Sequence, residues 1–166
     1  FQSGADNCGT VNQVSVSPNS FTCSNLGSNT VTLTVNDGHG NTGTCSATVT
    51  VVDLTAPTPV CQPALTRFLN GDGEASVNVA AVSSGSDDNC TLAALSLSQT
   101  IFTCAHLGQN VVTLTSTDQS GNTATCTTVV AVYDNTLPSV QCPQNQTVTS
   151  ISNDCSAEVN FSVAAQ

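Results

Sequence analysis

Basic side chains are almost absent from this chain of 166 residues, which has one Lys or Arg against eleven Asp or Glu. A nucleic-acid-binding protein neutralises phosphates with basic side chains, and Arg67 is the only one of its kind here. Binding to an anionic membrane surface needs the same side chains. No apolar run approaches the roughly 18 residues of a spanning helix. The sequence therefore predicts neither a nucleic-acid partner nor a membrane span.

Cysteine, by contrast, is abundant. Nine cysteines in a chain with only 7% charged residues are typical of an oxidised extracellular protein rather than of a reduced cytosolic enzyme. The sequence has no C-x-x-C pair, the spacing that builds zinc ribbons and dithiol redox sites. We therefore expect disulfide bonds and an extracellular or cell-surface location.

The chain contains an internal repeat. The segment 21–34, Phe-Thr-Cys-x-x-Leu-Gly-x-Asn-x-Val-Thr-Leu-Thr, returns at 102–115, an offset of 81 residues. The same offset relates Asp37 to Asp118, and it becomes 82 for the Asp-Asn-Cys sequence that ends at Cys8 and at Cys90. A repeat of this length indicates tandem copies of one small domain.

Within each repeat, apolar residues alternate with threonine, as in Val31, Leu33 and Val35. This period of two predicts half-buried antiparallel strands. Gly- and Asn-rich segments at 36–41 and 117–122 separate such strands and predict hairpin turns. Short strands in a unit of about 80 residues predict a small β-sandwich.

Two Pro-containing segments, 53–57 and 134–138, are typical of linkers between domains. This phasing makes residues 1–53 the C-terminal strands of one domain, residues 54–135 a complete domain, and residues 136–166 the N-terminal strands of another.

A family resemblance rests on three segments. They are Asp134-x-x-x-Pro138-x-Val140-x-Cys142-Pro143, Asp88-Asn89-Cys90, and the segment from Leu107 to Cys126. Together they resemble the hyalin repeat (HYR) family over nearly the whole chain. The resemblance implies an all-β chain of tandem immunoglobulin-like β-sandwich domains, one complete and two partial. It also implies an extracellular adhesive protein, of the kind that forms tandem arrays in secreted or surface proteins of bacteria.

The resemblance also implies a disulfide pattern. The usual bridge of the family joins the first strand to the last, which here is Cys61 to Cys126. The additional Phe-Thr-Cys cysteines would then pair within each domain, as Cys90 with Cys104 and as Cys8 with Cys23.

Three cysteines remain after these pairings. Cys45 and Cys142 need partners in another unit, and we expect them to bond to each other between units. Cys155 has no counterpart in the repeat. It is either an inter-subunit cross-link, an extra bridge inside the domain at 136–166, or a free buried thiol.

Acidic residues gather near the expected domain ends, and calcium prefers such hard oxygen ligands. The candidate ligands are Asp53, Asp87, Asp88 and Asp134. The alternative is that they are ordinary turn residues, since Asp is common in turns. No cofactor other than calcium is expected.

Three Asn residues match the acceptor sequence for N-glycosylation: Asn89, Asn145 and Asn160. Such matches also arise by chance in a chain rich in Asn and Thr, so both interpretations stay open.

Catalysis has no clear support in the sequence. His39 and His106 lie in predicted turns and loops, without a nucleophile in a recognisable setting. We therefore expect surface loop histidines and no enzyme.

The favoured function is structural and adhesive, as the repeating unit of a disulfide-stabilised fibre or long surface rod. The expected partners are other copies of the chain, joined end to end, together with glycans or other surface proteins. The alternative is a spacer or ligand-binding module of a large secreted adhesin or hydrolase whose active domain lies elsewhere.

The two partial domains complement each other, because residues 136–166 supply the strands that residues 1–53 lack. Two routes would join them: a continuous tandem polypeptide, or separate subunits that exchange strands. We favour the continuous chain, because a free subunit would expose half of a hydrophobic core.

Overall fold

The computed structural model describes residues 6–8, 11, 13–142, 144–149 and 156–160. The chain divides between Asn135 and Thr136 into two compact units. The described part of the first unit contains nine strands, one short helix and two 3-10 turns, so the predicted all-β class is confirmed. Among the described residues, no helix is long and apolar enough to cross a membrane.

The first three strands form one antiparallel sheet, called here the N-terminal sheet. Its strands are β1 (Gln13–Ser17), β2 (Gly27–Asn36) and β3 (Thr42–Val51), in the order β1-β2-β3. The predicted hairpin turn joins β2 to β3. Gly40 in this turn has φ of 100°, a conformation that favours glycine.

The remaining strands form a complete sandwich. They are β4 (Ala64–Phe68), β5 (Glu74–Ser76), β6 (Leu92–Leu97), β7 (Ile101–Thr103), β8 (Gly108–Asp118) and β9 (Thr123–Tyr133). One sheet has the order β4-β9-β8-β6, with β4 parallel to β9, and the other is the β5-β7 pair. The helix α1 (Val79–Val82) lies between β5 and β6 in the chain.

The core of the sandwich is formed by the inward-facing residues, which alternate with outward-facing residues along each strand. Val112 and Leu114 of β8, Val130 of β9, Phe102 of β7 and Val82 of α1 are all fully buried. In β8 the intervening positions after Val112 are threonines, Thr113, Thr115 and Thr117, so the period-two pattern of the sequence sets the inside and the outside of this strand.

The second unit contains residues 136–166. Its described residues form no helix or strand, although the sequence predicts the first strands of a domain there. In the sandwich, the first strand β4 pairs with the last strand β9. The described residues of the second unit include no counterpart of β9 with which they could pair.

Candidate functional site

Two disulfide bonds are present in the first unit. Cys61 and Cys126 are bonded inside the sandwich, with sulfurs 1.97 Å apart, as the family resemblance implies. Cys23 and Cys90 are bonded with sulfurs 2.04 Å apart. This second bridge joins the 3-10 turn before β2 to the loop before β6, and therefore links the N-terminal sheet to the sandwich.

The Cys23–Cys90 bond corrects the expected pairing of Cys90 with Cys104. Leu92 pairs with Asp118, so Cys90 lies near the end of β8, whereas Cys104 precedes the start of β8. A strand of eleven residues is roughly 35 Å long. Cys90 and Cys104 therefore lie at opposite ends of the sandwich, too far apart for a disulfide.

The same register corrects the expected Cys8–Cys23 pair. Gln13 pairs with Asn36 at the end of β2, and Cys23 precedes the start of that strand. The thiols of Cys8, Cys45, Cys104 and Cys142 are unbonded and exposed. Cys155 lies outside the described residues.

The linker between the N-terminal sheet and the sandwich is held by Asn122, in the β8–β9 turn. Its Nδ2 donates to the backbone carbonyl oxygens of Asp53 and Thr55, at 3.1 and 3.3 Å. The same nitrogen donates to Oδ2 of Asp118 at 2.7 Å. The linker is also bonded to the loop before β6, because Nδ2 of Asn89 donates to Oδ1 of Asp53 at 3.3 Å.

Three carboxylates meet beside this linker and form the junction cluster: Asp53, Asp88 and Asp118. One oxygen of each lies within 4.8 Å of the others. Asp118 is 2% exposed. Oδ2 of Asp53 and Oδ1 of Asp88 are buried, and neither has a hydrogen-bond partner in the described part of the chain. A buried polar atom without a partner is costly, so the arrangement favours an added ligand at these oxygens.

The junction cluster is negatively charged and has no basic side chain to neutralise it. The only Lys or Arg in the chain is Arg67, which donates to the backbone oxygens of Ser76 and Thr66. Burial raises the pKa of Asp118, but hydrogen bonds from the side chain and backbone of Asn122 lower it further, so the net pKa lies below the ordinary 3.8. Asp118 is therefore ionised at neutral pH.

The structure gathers two of the four predicted calcium ligands, Asp53 and Asp88. Asp87 is not a member of the junction cluster, and its Oδ1 accepts from the backbone N–H of Asp88. Asp134 follows β9 and lies at the other end of the sandwich from the junction cluster. Asp118 is not among the ligands that the sequence predicts, because its Asp-x-x-Gly-Asn segment is typical of a turn. The repetition of that segment at Asp37 was the available signal.

The two histidines lie in turns, and the contacts of His106 stabilise its turn. Nδ1 of His106 accepts from the backbone N–H of Thr103 at 3.0 Å, and its ring packs edge-on against Phe102. Oδ1 of Asn25 accepts from the backbone N–H of Thr22 at the same distance in the other repeat. His106 thus closes a 3-10 turn. His39 is exposed in the β2–β3 turn.

The three glycosylation candidates differ in their surroundings. All three are exposed. The side-chain nitrogen of Asn89, which would carry the glycan, donates to Asp53, and its neighbour Cys90 is in a disulfide. Asn145 and Asn160 lie in the second unit, outside regular secondary structure.

Comparisons with known proteins identify no family. No family model matches the chain, and no curated protein matches it. Among solved structures, the chain is similar to extracellular cadherin domains 1–4 of protocadherin gamma B7, with 16% identity and a TM-score of 0.37. The match covers 76% of this chain and 42% of that chain. A TM-score this low does not establish a common fold.

Proposed function

We propose that this chain is a structural and adhesive module of an extracellular rod, in which tandem immunoglobulin-like domains are held in line by stiffened junctions. The observation that carries the proposal is the Cys23–Cys90 disulfide beside the junction cluster. A disulfide that joins consecutive domains bypasses the linker, so a pulling force is transmitted through a covalent bond.

The linker itself needs such support. Leu54, in its middle, is 83% exposed, and Pro57 is the only residue of the linker that is buried. Short Pro-containing linkers restrict rotation without preventing bending. The disulfide, the Asn122 hydrogen bonds and a bound cation would together restrain both domains at one point. Disulfides of this kind are typical of extracellular proteins.

We propose that the junction cluster binds a calcium ion. Calcium–oxygen distances are about 2.4 Å, so ligands on opposite sides of one ion lie about 4.8 Å apart. The spread of the Asp53, Asp88 and Asp118 oxygens fits this span. All three ligands are hard oxygens, which calcium prefers to nitrogen or sulfur. Its charge would offset the repulsion among three carboxylates that lack a basic neighbour.

Two measurements test this function. Isothermal titration calorimetry should detect calcium binding that is lost or strongly weakened in the double variant Asp53→Asn, Asp88→Asn. The matched control is Asp72→Asn, an exposed carboxylate in the β4–β5 turn, which should leave calcium binding unchanged. Solution scattering should show that a chelator broadens the distribution of overall dimensions while circular dichroism reports unchanged strand content.

Two results would contradict the proposal. One is calcium binding that the Asp72→Asn control weakens as much as the double variant does. The other is a scattering profile that does not respond to chelator, to the double variant, or to removal of the Cys23–Cys90 bond. That second result would mean that the junction contributes nothing to the stiffness of the rod.

A further inference from the structure

The sequence repeat is also a structural repeat. The N-terminal sheet β1-β2-β3 corresponds to strands β6, β8 and β9 of the sandwich, with the same register after a shift of 81 residues. Val14 pairs with Val35 as Leu95 pairs with Ser116, and Leu33 pairs with Cys45 as Leu114 pairs with Cys126. The N-terminal sheet is therefore the second half of the same kind of sandwich.

In the N-terminal sheet, the face that should form the core is incompletely covered. Four inward-facing residues of the complete sandwich are at most 1% exposed: Val112, Leu114, Val130 and Val132. Their equivalents are less buried: Val31 at 8%, and Leu33, Val49 and Val51 at intermediate exposure. Residues 20–22 correspond to β7 but form no strand, because no counterpart of β5 pairs with them in the described residues.

The second unit carries counterparts of the missing elements. Cys142 corresponds to Cys61, and residues 145–149 correspond to β4 after the shift of 81 residues. Val159 corresponds to Val77 after a shift of 82 residues. Val77 is 4% exposed in the sandwich, whereas Val159 is 41% exposed in its own unit. Val159 therefore has an apolar side chain that the equivalent position in a complete domain would bury.

We propose that the uncovered face of the N-terminal sheet binds residues 145–149 of a second copy of this chain, so that copies join head to tail. Of the two routes given by the sequence analysis, this is the exchange of strands between separate subunits, in place of the continuous chain favoured there. The pairing of β4 with β9 gives the register: residues 145–149 of one copy lie parallel to residues 48–52 of the next. This inference rests on the proposed function, because it names the partner that would extend the rod.

When the two observed disulfides are moved by one repeat, of 81 or 82 residues, they predict partners for all four unbonded thiols of the described residues. The Cys61–Cys126 bond becomes a bond between Cys142 of one copy and Cys45 of the next. The Cys23–Cys90 bond becomes a bond between Cys104 of the first copy and Cys8 of the second. In both bonds the first copy contributes the cysteine that lies later in the sequence, and the second copy contributes the earlier one. The two bonds therefore agree on the order of the copies in the polymer. Two independent disulfides would then lock each contact between copies.

The oxidation needs an acceptor, and a small-molecule disulfide such as oxidised glutathione serves. The Cys45 thiolate attacks one sulfur of the reagent, forms a mixed disulfide and releases one thiol. The Cys142 thiolate then attacks the Cys45 sulfur and displaces the second thiol. Two protein thiols lose two electrons and two protons, and the reagent disulfide is reduced to two thiols. The Cys104–Cys8 bond forms by the same two steps.

The experiment mixes equal amounts of ¹⁵N-labelled and unlabelled chains in a glutathione redox buffer and maps the disulfides by mass spectrometry. Both chains carry Cys155→Ser, so that only the four thiols in question can react. We expect Cys45–Cys142 and Cys8–Cys104 peptide pairs that combine a labelled with an unlabelled chain, together with a ladder of polymers on a non-reducing gel. Cys45→Ser should abolish the first pair and leave the second.

A variant without any cysteine change tests the strand contact. Val148 corresponds to Arg67, and the odd-numbered residues of β4 direct their backbone N–H groups towards β9, as the donation from Leu69 to the carbonyl oxygen of Tyr133 shows. Val148→Pro removes this donor and fixes φ within residues 145–149, so it should slow both cross-links at least tenfold. The control Val148→Thr should cross-link at the rate of the unaltered chain. Equal rates in the two variants would overturn the proposed strand pairing.

Two other results would overturn head-to-tail joining. One is cross-linked peptides that never combine labels, since this means closure within one chain. The other is Cys45–Cys45 or Cys142–Cys142 pairs as abundant as the expected ones. Neither result would affect calcium binding or the Cys23–Cys90 bond, which are measured within a single chain, so this proposal can fail while the proposed function stands.

Discussion

Nδ2 of Asn122 lies 3.1 Å from the backbone carbonyl oxygen of Asp53, and this hydrogen bond ties the β8–β9 turn to the linker that enters the sandwich. The same amide nitrogen donates to Asp118, which belongs to the junction cluster. One side chain thus connects the turn, the linker and the candidate cation site. The linker between the N-terminal sheet and the sandwich is consequently held by specific hydrogen bonds.

The two disulfides should have different effects on stability. Replacing Cys61 and Cys126 by serine opens a loop with a sequence separation of 65 residues. In the chain-entropy model this loss costs the sandwich about 4 kcal/mol. Replacing Cys23 and Cys90 by serine should cost the sandwich under about 1 kcal/mol, because that bond lies outside the buried core of the sandwich and joins the sandwich to the N-terminal sheet.

Calorimetry suits this measurement, because the chain has no Trp for fluorescence. Scattering on the same samples should show a broader range of dimensions only for the variant that lacks Cys23 and Cys90. The interdomain role of that bond would be refuted if the two double variants destabilised the sandwich equally.

The stability of the first unit should depend on pH through Asp118 and Asp37. The pKa of Asp37 is lowered, chiefly by the side chain of Asn41, and the net pKa of Asp118 is lowered by Asn122. A carboxyl whose pKa is lowered on folding adds stability above its unfolded value, near 3.8, and that stability is lost as the pH falls through the folded value.

Thermal melts between pH 5 and pH 2 in chelator should therefore show a loss of stability below about pH 4. Asp118→Asn should make this loss smaller, whereas Asp72→Asn should not. A pH profile that is the same in the two variants would argue against the Asn122 hydrogen bonds.

His106 should tolerate replacement by Asn but not by Ala. Asn25 holds the equivalent turn in the other repeat through a hydrogen bond of the same length. His106→Asn should keep the free energy of unfolding, and His106→Ala should lower it by about 1 kcal/mol, the usual cost of losing a cap. A larger loss in the Asn variant than in the Ala variant would contradict the capping role.

The strands and turns were accessible from the sequence because they depend on local patterns. The alternation around Val31 and Leu33 predicts strands, and the Gly- and Asn-rich segments predict the hairpins. These signals act over a few residues, and the structure has strands and hairpins where they occur. The Cys61–Cys126 bond was implied by the family resemblance, which supplied long-range information that local patterns lack.

The Cys23–Cys90 bond and the junction cluster could not be predicted in the same way. Both depend on which end of the sandwich meets the N-terminal sheet, and this follows from strand register over the whole length of β8. Cys90 and Cys104 are the pair that remains once the family resemblance assigns Cys61 to Cys126, but β8 places them at opposite ends of the sandwich. Asp118 could not be predicted as a cluster residue for the same reason. Its turn is distant from Asp53 in sequence, and only the fold brings the two together.

Disulfide mapping of the single chain tests the central claim most directly. The chain has one Lys or Arg, so trypsin is unsuitable, and cleavage before Asp combined with cleavage after Phe21 and Phe102 separates the four relevant cysteines. After free thiols are alkylated, the account predicts a peptide pair joined through Cys23 and Cys90. Peptides joined through Cys8 and Cys23, and through Cys90 and Cys104, would instead mean that each bridge closes within one domain and that no covalent bond holds the junction.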